Sequence, residues 1–581
     1  MKRTLALILA LVMTMALVAC GGDKPTSSTP TNPSNSTQSS KPSEPSKPSE
    51  PEKPAEDPNA WKYGGDLKIG SGGVCPTMDV HSSNAGSLYA ARPFNHVYEN
   101  LVVMDANGKI YPQIMDLEES ADGCTLTFTL RERYFSNGEK ITIEDVEASI
   151  RRLIAQNITT QTGYDKNWKG TQIKFEGDKM ILTTESYNIN LLSSIANAQG
   201  LYKVMPKEIC DKYPISGGTY DETNGLTWGG TANEINDVKD IIGSGPYCAQ
   251  SWNGDTDIVL VRNENYDIIT EGNEDAIGMA APRYAYCDTI TISVNMDASS
   301  RTAGMMAGEY DLSDVQVAMW DTALSMGLKQ WDAGSSWTHG IFFNLDESNT
   351  DSPVYDVNVR KAIRAIIDSN AALLAVCGGR QERVILEPYA IKSNIAAYKS
   401  DVMEKNDYNI HDVAKAKEYL AKSSYNGEPI VYLCHASGNF YNASMAVIPM
   451  LESIGLKVEL MAVDNGSHTA MRKDPKTGHD IGCWEVQKRE DNPVLHTTIV
   501  TGSQGWWKSD AKDAAIKIMQ STPTGSPESV KAYNDYLQAV ADEVPYILFG
   551  HLVGYTWTQG DVIYDSVGQY NYYWNVHFDK K

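Results

Sequence analysis

Between Asp122 and Leu153 the hydrophobic period of the chain changes from that of a strand to that of a helix, which commits the fold to a mixed α/β class. From Cys124 to Leu130, Leu126, Phe128 and Leu130 alternate with Thr125, Thr127 and Thr129, as in a half-buried strand. Asn137-Gly138 supplies a turn. Thr142, with Asp145 three residues later, is an acidic variant of the capping box, and Val146, Ile150 and Leu153 then recur on one helical face. A second region repeats the mixture. Val413, Ala416 and Leu420 predict a helix, Ile430 to Leu433 a strand, and Val447, Leu451 and Ile454 another helix stopped by Gly455; Leu456, Val458 and Leu460 alternate directly after it. Helix leading into strand, twice over, predicts an α/β lobe. With 581 residues, 41% of them hydrophobic, the chain exceeds what one domain usually needs, and two or three lobes are expected.

The N-terminus carries an address. Met1-Lys2-Arg3 is a charged start, and Leu5 to Leu17 is apolar but too short for a membrane-spanning helix. Leu17-Val18-Ala19-Cys20 then resembles the lipobox of bacterial lipoproteins. That resemblance implies cleavage after residue 19, a lipid on Cys20 and a place on the outer face of the cytoplasmic membrane. Residues 20–58 are Ser, Pro, Thr, Lys and Glu with almost no apolar side chain, so a disordered tether is expected there, of a kind that suits a Gram-positive wall. The net charge of -24 repels phosphate backbones and anionic lipid, so nucleic acid is not an expected partner. Beyond Cys20 the cysteines are scattered without a C-x-x-C pair; buried thiols are expected, with one or two disulfides open.

Several segments resemble one family, the family 5 extracellular solute-binding proteins, which are the peptide, nickel and opine receptors of ABC importers. "DGCTLTFTLRERYFSNGEKITIEDV" is similar to the family's D-G-x-T-y-T-F-x-L-R, F-x-x-G and l-T-a-x-D-V run. In order along the chain, "VMPKEI", Gly243-Ser244-Gly245-Pro246-Tyr247, "IVLVRNENY", Gly308 to Leu312, "VYDVNVRKAIRAIID" and "MLESIGLKVEL" also resemble family segments. The resemblance covers nearly all of Trp61 onward. It implies a two-lobed, type II periplasmic-binding-protein-like fold with a hinge of two chain crossings. The first lobe would be 61–335, with 101–240 as an extra subdomain, completed by 545–581, and the second lobe 336–544. A monomer is expected, with an ABC permease as partner and no cofactor or resident metal.

The resemblance also nominates ligand contacts. Asn84, Gly86 and Ser87 lie in a first loop that runs along the cleft in the family, and Asp314 and Gln316 lie just beyond a segment near its hinge. "DIGCWEVQKREDNPV" occupies the place where peptide-binding members carry an aromatic residue and then a carboxylate that pairs with the peptide's ammonium. Trp484 fits the aromatic residue. The carboxylate does not map: Trp484 lies two residues further from Pro493 than usual, Arg489 falls near the expected position, and Glu485, Glu490 and Asp491 are the alternatives. An arginine there would suit a ligand carboxylate instead. Tyr546 and His551, in the returning segment, are expected beside the cleft. The expected ligand is an oligopeptide, with nickel, haem or another small solute as the alternative.

Enzymatic patterns are weak. Ser509-x-x-Lys512 and Lys476-Thr477-Gly478 occur in the reverse of the penicillin-recognising order and without S-D-N, and neither G-x-S-x-G nor H-E-x-x-H occurs. A secreted hydrolase is thus a distant alternative, and no turnover is expected.

Overall fold

The computed structural model describes residues 59–85, 87–105, 108–156, 164–197, 200–389, 396–486, 505–564 and 572–580. The expected signal peptide, Cys20 and tether lie outside the described residues, as do Gly86, Asn107, Arg489, Glu490 and Asp491.

One mixed sheet of eleven strands organises the rest. Its order is Tyr247–Asn253, Asp257–Arg262, Thr289–Val294, Asp66–Ser71, Leu312–Ser313, Tyr546–Thr558, Lys329–Phe343, Ile481–Val486, Pro429–His435 and Lys457–Val463, with Val384–Ile385 added onto Tyr546–Thr558. Parallel pairs sit toward both ends. Asp66–Ser71 runs parallel to Thr289–Val294, and Pro429–His435 runs parallel to Lys457–Val463 through the helix Gly438–Ser453, because a parallel pair needs a crossover longer than a hairpin.

In the middle, Lys329–Phe343 (15 residues) and Tyr546–Thr558 (13 residues) run antiparallel side by side, from Lys329 opposite Thr558 to Phe342 opposite Tyr546. Their pairing slips three times, between Asp332 and Ser335, Ser335 and Thr338, and His339 and Gly340. Such slips leave ladder groups unpaired and bend a strand. The end of this pair at Lys329 and Thr558 meets two apolar clusters: Trp331 packs against the first core, and Trp557 lies in a smaller cluster with Met305, Val315 and Trp320. Leu67, Ile69, Leu260, Ile290 and Leu312 pack in that first core with Val562 and Trp574. Ile341, Phe343, Ile363, Tyr432, Leu451, Ile547, Phe549 and Leu552 pack in another. In the first half of Tyr546–Thr558, Ile547, Phe549 and Leu552 thus lie in the second core.

The block read from sequence forms as expected. Thr125–Leu130 lies in a four-stranded antiparallel sheet with Met115–Glu119, Lys179–Thr183 and Gln172–Glu176, and Leu126 and Phe128 are buried. The Gly138 N–H donates to the Phe135 carbonyl (2.9 Å) in the turn. Thr142 donates through its backbone N–H (2.8 Å) and its hydroxyl (2.7 Å) to Asp145, at the start of the helix Ile143–Gln156. The helix drives Val146, Ile150 and Leu153 into the first core. The helix Leu88–Val97 follows the first loop, and the helix Ala298–Ala307 is stopped by Gly308 at φ 77°. All eight described cysteines are free thiols, six of them buried.

Candidate functional site

A cleft of about 260 Å³ opens where the crossing strands leave the first core. Its floor is Ala333 on one crossing strand and Gly554, Tyr555 and Thr556 on the other. Its walls come from the ends of neighbouring elements: Gly70 and Gly72 after the first strand, Tyr89 and Arg92 on the helix Leu88–Val97, Arg301 on the helix Ala298–Ala307, and Ser313 and Asp314 beyond. Several strands end here together, which is where an α/β sheet leaves a crevice.

Local chemistry shapes the walls. The Ser87 hydroxyl caps the helix by accepting from the Ala90 N–H (3.1 Å), so Tyr89 and Arg92 are presented from a fixed first turn. A Cβ on Gly73 would stand 2.3 Å from the Tyr89 ring, so the loop can pass that ring only with glycine there. The loop is anchored from below. Burial alone would raise the Asp79 carboxyl, but Arg152, gripping it with two N–H groups, holds it below the usual carboxylate range. Ser82 (2.5 Å) and Thr77 (2.9 Å) both donate to Glu234.

Charge in the cleft is uneven. Arg301 donates to Asp314 through Nε (2.7 Å) and Nη2 (2.8 Å), and through Nη1 to the Asn295 carbonyl (2.6 Å). Its hydrogen bonds to Asp314 raise the guanidinium above its ordinary value. Arg92 is different. Its guanidinium lies over the Tyr89 ring at 5.2 Å, and its buried Nε has no hydrogen-bond partner among the described residues. A larger cavity of about 460 Å³ lies between Ala148, Arg151, Tyr220 and Thr227, away from the crossing strands. The cations there are engaged, Arg152 with Asp79 and Arg151 with Glu147 (2.7 Å) and the Gly225 carbonyl (3.0 Å).

Of the residues expected from sequence, Asp314 lines the cleft. Gln316 is exposed and not among the lining residues; its backbone N–H donates to the Thr302 hydroxyl (3.0 Å). Asn84 is exposed, its N–H on the Ser82 hydroxyl (3.1 Å), and Ser87 serves the helix cap. Trp484 and Glu485 sit on Ile481–Val486 opposite Gly340 and His339. Two more are buried. Tyr546 lies in an apolar cluster with its hydroxyl on that of Tyr536 (3.1 Å), on one face of a strand whose other face, with Ile547 and Phe549, packs in the second core. His551 is buried, with Thr338 Oγ1 at 2.8 Å from Nδ1 and the Tyr389 carbonyl at 2.7 Å from Nε2, so it ties the crossing strands to a neighbouring segment. Sequence reasoning missed Tyr89, Arg92, Arg301 and Tyr555. The available signal was Arg92 as the single arginine in the otherwise weakly polar helix LYAARPFNHV.

Comparison with known proteins adds the following. The model of the bacterial extracellular solute-binding proteins, family 5 (middle region), matches residues 109–501. The probable D,D-dipeptide-binding periplasmic protein DdpA of Escherichia coli (strain K12) is 21% identical over 433 residues, 72% of this chain and 75% of that protein. The nickel-binding periplasmic protein of the same organism is 23% identical over 446 residues, 70% of this chain and 76% of that protein. The structure of the oligopeptide-binding protein AppA from Bacillus subtilis in complex with a nonapeptide is similar at a TM-score of 0.62 and 18% identity, over 89% of this chain and 99% of that one. The fold is thus the two-lobed α/β fold of periplasmic binding proteins. Among the described residues, no helix is long and apolar enough to cross a membrane.

Proposed function

The chain belongs to the bacterial extracellular solute-binding proteins of family 5, and we propose that within that family it captures an oligopeptide between its two lobes and delivers it to the permease of an ABC importer. The observation that carries this reading is the cleft at two crossing strands that run from the second core, through Ile341, Phe343, Ile547 and Phe549, to the edge of the first, against which Trp331 packs. The first lobe is taken as 61–335 with 101–240 as its extra subdomain, and the second as 336–544. Because Ile547, Phe549 and Leu552 pack in the second core, the first lobe's tail is better begun after Leu552 than at 545. Closure then amounts to bending Lys329–Phe343 and Tyr546–Thr558 where their pairing slips. A ligand that touches both lobes favours the closed form by its differential affinity for it, without chemical turnover. The lipobox supports attachment through a lipid on Cys20 to the outer face of the cytoplasmic membrane, as a monomer.

Peptide is favoured because the dipeptide-binding relative and the nonapeptide-bound structure both align over most of this chain. Nickel is the second reading, since the nickel-binding relative is of comparable similarity. Thermal unfolding of the purified full chain against peptide pools, amino acids, sugars, nickel and haem separates them. A cognate ligand at a hundred times its Kd adds about 2.7 kcal/mol to stability by mass action, and the melting temperature rises accordingly. A saturable shift with nickel or haem and none with peptides overturns the peptide reading. Release of a chemically altered product from any bound compound overturns the receptor reading.

A further inference from the structure

We propose that the cleft takes the anionic end of its ligand, a carboxylate, on the guanidinium of Arg92. This rests on the cleft being the ligand site. The ionised groups on its walls are two arginines and one aspartate, Arg92, Arg301 and Asp314. Asp314 neutralises Arg301, whose Nε, Nη1 and Nη2 are all already donating. The remaining positive charge is that of Arg92.

Three observations make Arg92 a receptor for a ligand and not a brace. Its Nε is buried and has no acceptor among the described residues, so no hydrogen bond from this nitrogen ties the guanidinium to the protein as a brace would. Its guanidinium is held in place over the Tyr89 ring at 5.2 Å, and Tyr89 in turn is held against the loop at Gly73, so the fork is oriented before any ligand arrives. The protein around it is strongly acidic, with 74 aspartates and glutamates in the chain, yet no described carboxylate is in ion-pair reach of Arg92. The planar fork of a guanidinium matches a carboxylate with two parallel hydrogen bonds. A single uncompensated cation suits a monoanion. In a peptide that group is the C-terminal carboxylate, which would then lie against the first lobe beside Tyr555 and Thr556.

The test uses the purified full chain, a tetrapeptide library in free-acid and C-terminally amidated forms, and a panel of simple organic carboxylates beside their carboxamides. Thermal shift and calorimetry are read for the parent chain and for Arg92→Ala, Arg92→Gln and Arg92→Lys. The expected result is saturable binding of free acids and not of amides. Affinity should fall roughly thirtyfold or more in Arg92→Ala and Arg92→Gln, the lower end for truncating one partner of a buried charge pair. Arg92→Lys should recover part of it, since it restores the charge without the fork. Circular dichroism and the melting temperature without ligand show whether each variant is folded, and Arg92→Lys serves if the alanine variant is not. Equal binding of acid and amide forms, or acid binding unchanged in all the folded variants, overturns the proposal and leaves the peptide-receptor reading standing. Arg92-dependent binding of simple carboxylates without binding of peptides supports the proposal and overturns the peptide reading. No binding of any free acid overturns the proposal, and nickel and haem in the same assay then decide whether the receptor reading falls with it.

Discussion

Five histidines are buried where a proton is costly. Burial is the largest cause in each case, pushing His81, His339, His468 and His479 down to about 4 and His96 down to about 3. Their exposure is 2% or less throughout, so solvent does little to soften the effect. In the unfolded chain each titrates near its ordinary value of about 6.5, so between that pH and about 4 the unfolded state binds protons that the folded state refuses. Stability from this source is complete above about pH 6.5 and is lost as the pH falls, at up to roughly 1.4 kcal/mol per pH unit for each histidine. The melting temperature should therefore drop steeply between pH 6.5 and 4.5. A melting temperature that stays level across that range would show that these side chains are hydrated in solution.

Helix caps show how one residue can serve two elements. Thr142 opens the helix Ile143–Gln156 in partnership with Asp145, as its spacing predicts. Asp145 also accepts the Lys207 N–H (2.7 Å), which is the first donor of the helix Lys207–Lys212. Thr142→Ala should cost about 1 kcal/mol, the net worth of its hydroxyl hydrogen bond to Asp145. Asp145→Ala should cost about twice that, since it removes acceptors from two helix starts, and urea titrations of the two variants compare them directly. Equal losses would mean that the second contact contributes nothing. The glycine pair at 243 and 245 likewise does more than turn the chain. A Cβ on Gly243 would stand 2.1 Å from the Val97 carbonyl, so this connection lies flush against the end of the helix Leu88–Val97 that carries Arg92.

At the scale of the molecule, two cores are joined by two strands whose hydrogen-bond ladder is interrupted, and bending there requires little loss of packing. A ligand identified by thermal shift should reduce the radius of gyration in small-angle X-ray scattering as the lobes close; stabilisation without compaction would mean that it binds one lobe alone. Strands, helices, the capped block and the family were legible in the chain, because period, caps and turns are local and act through neighbours in sequence. Asp314, nominated because it follows a recognisable family segment, is among the residues lining the cleft. Tyr546 and Ile547 pack in different apolar clusters because both faces of that strand are covered, which alternation in the sequence does not reveal. Arg92 and Arg301, 209 positions apart in the numbering, become neighbours of one cleft only when the sheet brings the ends of separate elements together. Which arginine is neutralised is then decided by Asp314 being within 2.8 Å of one of them, a distance that no spacing in the sequence encodes. By itself the sequence determined the class, the family and the local elements; the tertiary structure alone decided which charges on the cleft walls are paired, because pairing depends on proximity in space.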